Sequence, residues 1–270
     1  VLPTHKYRHD MPKVPLRIQS LPVDERGYPV PWFVAWIDGK PEFRAMDTAK
    51  FIRAIREKRC WVCGELLGTK MAFVIGPMCA INRISSEPPS HLDCALFSAI
   101  ACPFLSKPHM VRRENDLAEE VRDNMAGFGL KRNPGVAMVW VTKSYRTQKV
   151  PKMNGQGSGY LLDMGAPLEV RCFAEGRTAT RDEIEESMRT GLPALLAAGE
   201  IDGCVEDVKE RTRIACAGLG LRTENVLGKM DEDKEGKANT GSNCTLTARQ
   251  AEGQEKQESG KDKKIQVVRP

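Results

Sequence analysis

Four side chains constrain this chain more than anything else in it. Cys60 and Cys63 stand in Cys60-Trp61-Val62-Cys63-Gly64, and His91 and Cys94 stand in Ser90-His91-Leu92-Asp93-Cys94. The Cys-x-x-Cys spacing lets one tight turn aim two thiolates at a single ion, and a glycine immediately after it permits the backbone bend of such a knuckle. His91 and Cys94 are three apart, so a helix starting there carries both on one face. Pro88 and Pro89 suit a first helical turn, and Ser90 with Asp93 has the spacing of a capping box. Between the two pairs, Met71 to Ile75 and Cys79 to Ile84 read as the strands of a hairpin across Gly76-Pro77. A knuckle, a hairpin and two donors from a helix start make a treble-clef-like module. Four such donors fill a tetrahedral Zn2+ shell, which predicts a structural ion with no open position for water.

Nine cysteines is an odd number, which argues for reduced thiols and metal ligands over a disulfide framework. Cys79 and Cys102 lie in the same window and compete with His91 for the shell. Cys102 sits two helical turns beyond Cys94, too far to share an ion unless the helix ends early. Cys79 reads as a buried hairpin thiol, and Cys172, Cys204, Cys216 and Cys244 as packed or free thiols. A catalytic zinc with three ligands and a water is the competing reading, with Glu87 or Asp93 as the nearest base.

The fold class expected around this module is α+β. Residues 1–31 carry six prolines and read as an extended Pro-rich arm. Residues 32–110 make the zinc-binding module, beginning with two short strands around Asp38-Gly39 and a helix capped by Asp47. Residues 111–203 form a small α+β domain, with a helix ending near Gly127, buried strands at Val136 to Val141 and Leu168 to Phe173, and a helix opened by the capping box Thr180 to Glu183 and broken at Pro193. Residues 204–228 form a helical segment. The stretch 229–270 holds nine basic and eight acidic residues with few apolar ones, so a disordered C-terminal tail is expected.

Several blocks resemble an uncharacterised bacterial and bacteriophage protein family over about residues 15–200. They are Leu21 to Phe33, Cys60-Trp61-Val62-Cys63-Gly64, Gly76-Pro77-Met78-Cys79, Ser86 to His91 and Phe173-Ala174-Glu175-Gly176-Arg177. The resemblance implies a bacterial or phage setting and supplies no reaction.

Charge narrows the function classes. The net charge is +5, from 41 Lys and Arg against 36 Asp and Glu, which is far from a histone-like balance. There is no membrane-length apolar run and no apolar signal core at the start, so a protein of the bacterial cytoplasm with no membrane partner is expected. From Asn124 to Leu162 there is no acidic residue, while Lys131, Arg132, Lys143, Arg146 and Lys149 are basic and Tyr145 lies among them. Such a segment offers cations to a phosphate backbone and a ring to a base. A solvated loop balanced by the acidic run Asp182 to Glu186 explains the same pattern without a ligand. The functional expectation is a nucleic-acid-binding or nucleic-acid-associated accessory protein. Its rivals are a protein-interaction factor, such as a phage protein acting on a host protein or a virion component, and a zinc-dependent hydrolase or nuclease.

Overall fold

The computed structural model describes residues 6–107, 133–151 and 158–228. The arm contributes one helical turn, α1 (Leu16–Gln19), and then a hairpin, β1 (Val34–Ile37) with β2 (Lys40–Met46). Asp38 and Gly39 both have positive φ, the conformation of a two-residue hairpin turn. Asp47 caps α2 (Thr48–Arg56) by accepting from the Lys50 amide at 3.1 Å, and the helix buries Phe51 and Ala54.

The main sheet is antiparallel, in the order β3 (Met71–Ile75), β5 (Ala137–Thr142), β8 (Glu169–Ala174), β9 (Arg177–Thr178). All six residues of β5 are buried, which explains its uninterrupted apolar run in the sequence. The expected boundary near residue 110 passes through this sheet, because β3 pairs with β5 from Met71↔Thr142 to Ile75↔Met138. The two units read from the sequence therefore share one framework. A second sheet has the order β4 (Ile84–Ser85), β7 (Ser158–Met164), β6 (Tyr145–Pro151). The chain passes from the first sheet to the second at Lys143-Ser144, where Trp140 Nε1 donates to Gly165 O at 3.0 Å and Thr142 Oγ1 to Ala166 O at 3.0 Å.

The expected hairpin across Gly76-Pro77 does not form. Cys79 to Asn82 belong to a short helix, α3 (Pro77–Asn82), with Gly76 at its N-cap, Pro77 in its first turn and Arg83 in the left-handed conformation at its end. Proline is preorganised for a first helical turn, so the dipeptide that reads as a hairpin turn starts a helix instead. The strand partner of β3 on this side is a single bridge, in which Ala72 and Ser90 exchange two backbone hydrogen bonds of 2.8 Å. Ser90 is thus in an extended segment and forms no capping box with Asp93. The N-cap of α4 (Leu92–Ala101) is His91, with no side-chain cap. α5 (Pro103–Ser106) follows directly.

On the other side of the core, α6 (Arg181–Ile201) begins with the expected capping box, Thr180 Oγ1 accepting from the Glu183 amide at 3.3 Å. It does not break at Pro193. Met188 and Leu192 lie buried in the main core just before the proline, with Phe73, Met138, Leu162 and Met164, and that burial outweighs the missing hydrogen bond. The segment 204–228 folds as α7 (Val205–Leu219) and α8 (Thr223–Leu227). Buried Glu185 ties α8 to α6 by accepting from the Arg222 amide at 3.0 Å and from Asn225 Nδ2. The expected helix before Gly127, Lys131, Arg132 and the tail 229–270 lie outside the described residues. Among the described residues, no helix is long and apolar enough to cross a membrane.

Candidate metal centre

The knuckle is a tight loop closed at its base. Arg59 and Leu66 form an antiparallel bridge, the Cys60 amide donates to Glu65 O at 2.7 Å, and the Gly64 amide donates to Cys60 O at 2.9 Å. Gly64 has φ +78, and the Trp32 ring covers its α-carbon. The Trp32 amide also donates to Val62 O at 2.7 Å. Trp61 turns the other way, stacking on Phe33 with centroids 4.7 Å apart, while its own amide donates to Pro89 O at 3.0 Å. The knuckle is thereby fixed against the segment that leads into α4. Trp32 and Phe33 pack against the knuckle, whereas Trp36 is 48% exposed.

α4 presents His91 at its N-cap and Cys94 in its first turn. The donor atoms of Cys60, Cys63, His91 and Cys94 all lie within 4.8 Å of one another. Cys60 and Cys94 are 0% exposed and Cys63 is 8% exposed. Cys63 Sγ and His91 Nδ1 are 3.4 Å apart. A tetrahedral ion with Zn–S of about 2.3 Å and Zn–N of about 2.05 Å sets a sulfur and a nitrogen about 3.5 Å apart, the spacing that the Cys63–His91 pair already has. The group holds a Cys/His cluster able to bind a metal ion.

The hydrogen bonds around the cluster assign the histidine's roles. His91 Nε2 lies 3.0 Å from the carbonyl oxygen of Leu66. A carbonyl only accepts, so Nε2 carries a proton, and in the neutral ring that ligates a metal Nδ1 keeps the lone pair facing the thiols. A ligating imidazole fixed through its other nitrogen by a carbonyl is the usual outer-sphere support of a metal site. The cluster amides add to it, since the Cys63 and His91 amides each lie 3.4 Å from Cys60 Sγ.

Without an ion the three thiols share charge unequally. Burial works against a Cys60 thiolate, but the hydrogen bonds it accepts from Cys63, Cys94 and His91 hold its pKa well below the ordinary thiol value. Cys63 donates to Cys60 and is pushed up to about 12 for that reason, and Cys94 is raised by its bonds to Cys60 and Cys63. His91 is raised, mainly by its bond to Cys60. One thiolate held by two thiols beside an imidazole is a cation site with protons in place of the cation.

The competing cysteines are elsewhere. Cys79 lies in α3, where burial pushes its thiol up to about 11, and Cys102 ends α4 and begins α5, with its pKa also raised by burial. Neither belongs to the cluster. Cys172 and Cys216 are thiols packed on the main core, whereas Cys204 is disulfide-bonded and not the thiol expected from its isolation in sequence. Cys244 lies outside the described residues.

The basic segment is partly used by the fold. Lys143, Arg146 and Lys149 are exposed, the last two on β6. Arg146 Nη2 lies 2.5 Å from Asp163 Oδ2, a counter-charge that β7 supplies through the register Arg146↔Asp163. The Tyr145 ring is not presented to solvent as a stacking platform. It meets Phe73 edge-on with centroids 5.8 Å apart and packs against the main core. The Leu66 carbonyl was invisible to sequence reasoning, because a backbone acceptor carries no residue signature.

No family model, curated protein or solved structure matches the chain.

Proposed function

We propose that the cluster is a structural zinc centre of treble-clef-like construction, and that the protein is a nucleic-acid-binding accessory protein of bacterial or phage origin. The observation that carries the zinc reading is the closed donor set: three sulfurs and one nitrogen, mutually within 4.8 Å and largely buried. Thiolate-rich tetrahedral sites suit zinc over harder cations, and a full shell leaves no position for a reacting water, which argues against a hydrolase. The short bridge Ala72↔Ser90 stands where a full treble clef has a hairpin, so the likeness is one of knuckle and helix. The bacterial or phage setting rests on the sequence blocks alone.

The nucleic-acid reading rests on exposed Lys143, Arg146 and Lys149, together with Lys131 and Arg132 from outside the described residues. These cations would follow a phosphate backbone without reading bases, since Tyr145 is committed to packing. The test is metal analysis of the purified chain, followed by binding to a labelled single-stranded and duplex oligonucleotide at increasing salt. Steep weakening with salt, and a shallower slope in Lys143→Gln/Arg146→Gln/Lys149→Gln, supports the reading. Binding that does not depend on salt, or its absence with both oligonucleotides, overturns it.

A protein-interaction role is the second reading. It is favoured by Trp36 and Ile37, which are 48% and 42% exposed at the tip of the β1–β2 hairpin, where aromatic and aliphatic side chains suit the centre of a protein interface. Capture of a protein that Trp36→Ser loses, with no salt-dependent oligonucleotide binding, would favour it.

A further inference from the structure

The N-terminal arm is part of the wall of the metal centre. Ile18, on α1, is 1% exposed, and with Val14 and Leu21 it packs in one cluster with Val62, Cys60, Cys63 and Cys94. The neighbouring residue, Arg17, reaches two acidic groups at once: Nη1 lies 2.5 Å from Glu65 Oε2 and Nε lies 3.8 Å from Asp93 Oδ2. Glu65 follows Cys63 by two residues, and its carbonyl accepts the Cys60 amide. Asp93 directly precedes Cys94. One guanidinium therefore spans the two chain segments that supply the donors.

α1 cannot hold this position by itself. It is four residues long and has no side-chain cap, far below the length at which a helix is stable in water. Its order comes from docking on the cluster. Three thiolates and a neutral imidazole around a divalent ion leave a net charge of −1, and a cation at the rim offsets that charge.

We infer that Arg17 is a positioning residue of the metal centre and that metal binding and the docking of residues 14–21 are a single coupled equilibrium. The inference rests on the structural-zinc reading. By linkage, whatever the ion contributes to docking the arm, the docked arm contributes to holding the ion.

The test uses the full chain and two probes, zinc(II) and cobalt(II). In cobalt titrations with a competing chelator, Arg17→Ala should weaken affinity by roughly 3- to 10-fold, the range for losing two half-exposed ion pairs, with Arg17→Lys recovering much of it. The cobalt absorption bands should keep their positions in both variants, because the donors are unchanged. Glu65→Gln provides the same loss from the other side of the pair should Arg17→Ala not fold. Hydrogen exchange on the zinc-loaded wild type should show residues 14–21 protected, and chelation should remove that protection while β5 stays protected. Wild-type affinity in both Arg17→Ala and Glu65→Gln, or an arm still protected after the metal has gone, overturns the coupling and leaves the zinc site standing. A wild-type chain that takes up neither ion overturns both.

Discussion

The ring of Trp32 covers the α-carbon of Gly64, so that a Cβ at residue 64 would lie 2.6 Å from Trp32 Cγ. This contact joins the residue just after the Pro-rich arm to the residue just after the metal knuckle. Gly64 also has φ +78, so its lack of a side chain is required twice over. Gly64→Ala is expected to destabilise the zinc-loaded chain by about 1–3 kcal/mol through strain and displacement of the indole. Chemical denaturation checks this, and a loss below about 0.5 kcal/mol, the range of an ordinary surface change, would show that the contact is not rigid.

His91 separates a structural ion from a catalytic one. His91→Ala should lower zinc affinity and unfold the region around the knuckle, observed as loss of the Trp32 and Trp61 fluorescence signature along with the metal. A variant that stays folded and metal-loaded contradicts the structural role. The assignment of Nδ1 as the ligand atom is checked separately by the nitrogen chemical shifts of the zinc-loaded imidazole, which should report a proton on Nε2.

Metal uptake should release protons. In the metal-free cluster Cys63 is pushed up to about 12 by its bond to Cys60, and Cys94 is raised by its bonds to Cys60 and Cys63, so both are protonated at neutral pH. Each must lose its proton to bind, and affinity should fall as pH falls. Calorimetry in buffers of different ionisation enthalpy should give a release of about two protons per ion near pH 7, with more if His91 starts protonated. Zero release would mean that the thiols are not ligands.

The start of α6 gives a test away from the metal. Thr180→Ala removes a side-chain cap and should cost about 1 kcal/mol of stability. Its partner Glu183 is held at about 2, below the ordinary 4.5, by Arg177 first and then by the Thr180 amide. A lowered carboxylate stabilises the folded state fully above its unfolded value. That contribution is lost as pH falls from about 4.5 towards 2. Thermal melts of Glu183→Gln should therefore differ from wild type at pH 6 and converge with it near pH 2. A pH-independent difference would show that the carboxylate is not the operative group.

Local signals in the sequence located a good part of this molecule. The Asp38-Gly39 turn, the Asp47 cap, the apolar run of β5 and the Thr180–Glu183 box each contain their own instructions within a few residues. The four donors were legible because two short spacings agree with each other. What was not legible depends on partners far away in the chain. β3 looks like half of a local hairpin, yet its partner is β5, more than sixty residues on, with its register from Met71↔Thr142 to Ile75↔Met138. α3 is too short for a helical period to show. Pro193 stays helical because Met188 and Leu192 are anchored in a core assembled from several other elements. Arg146 gained its counter-charge from a register that the acid-free stretch did not reveal.

Asn133 Nδ2 donates to the carbonyl oxygens of both Phe104 and Lys107, the second at 3.0 Å. One side-chain amide thus ties the end of α5 to a residue four positions ahead of the central strand, although the two lie 26 residues apart in sequence. Removing that amide, as Asn133→Ala does, would take one donor from both carbonyls and uncouple the approach to β5 from the end of α5.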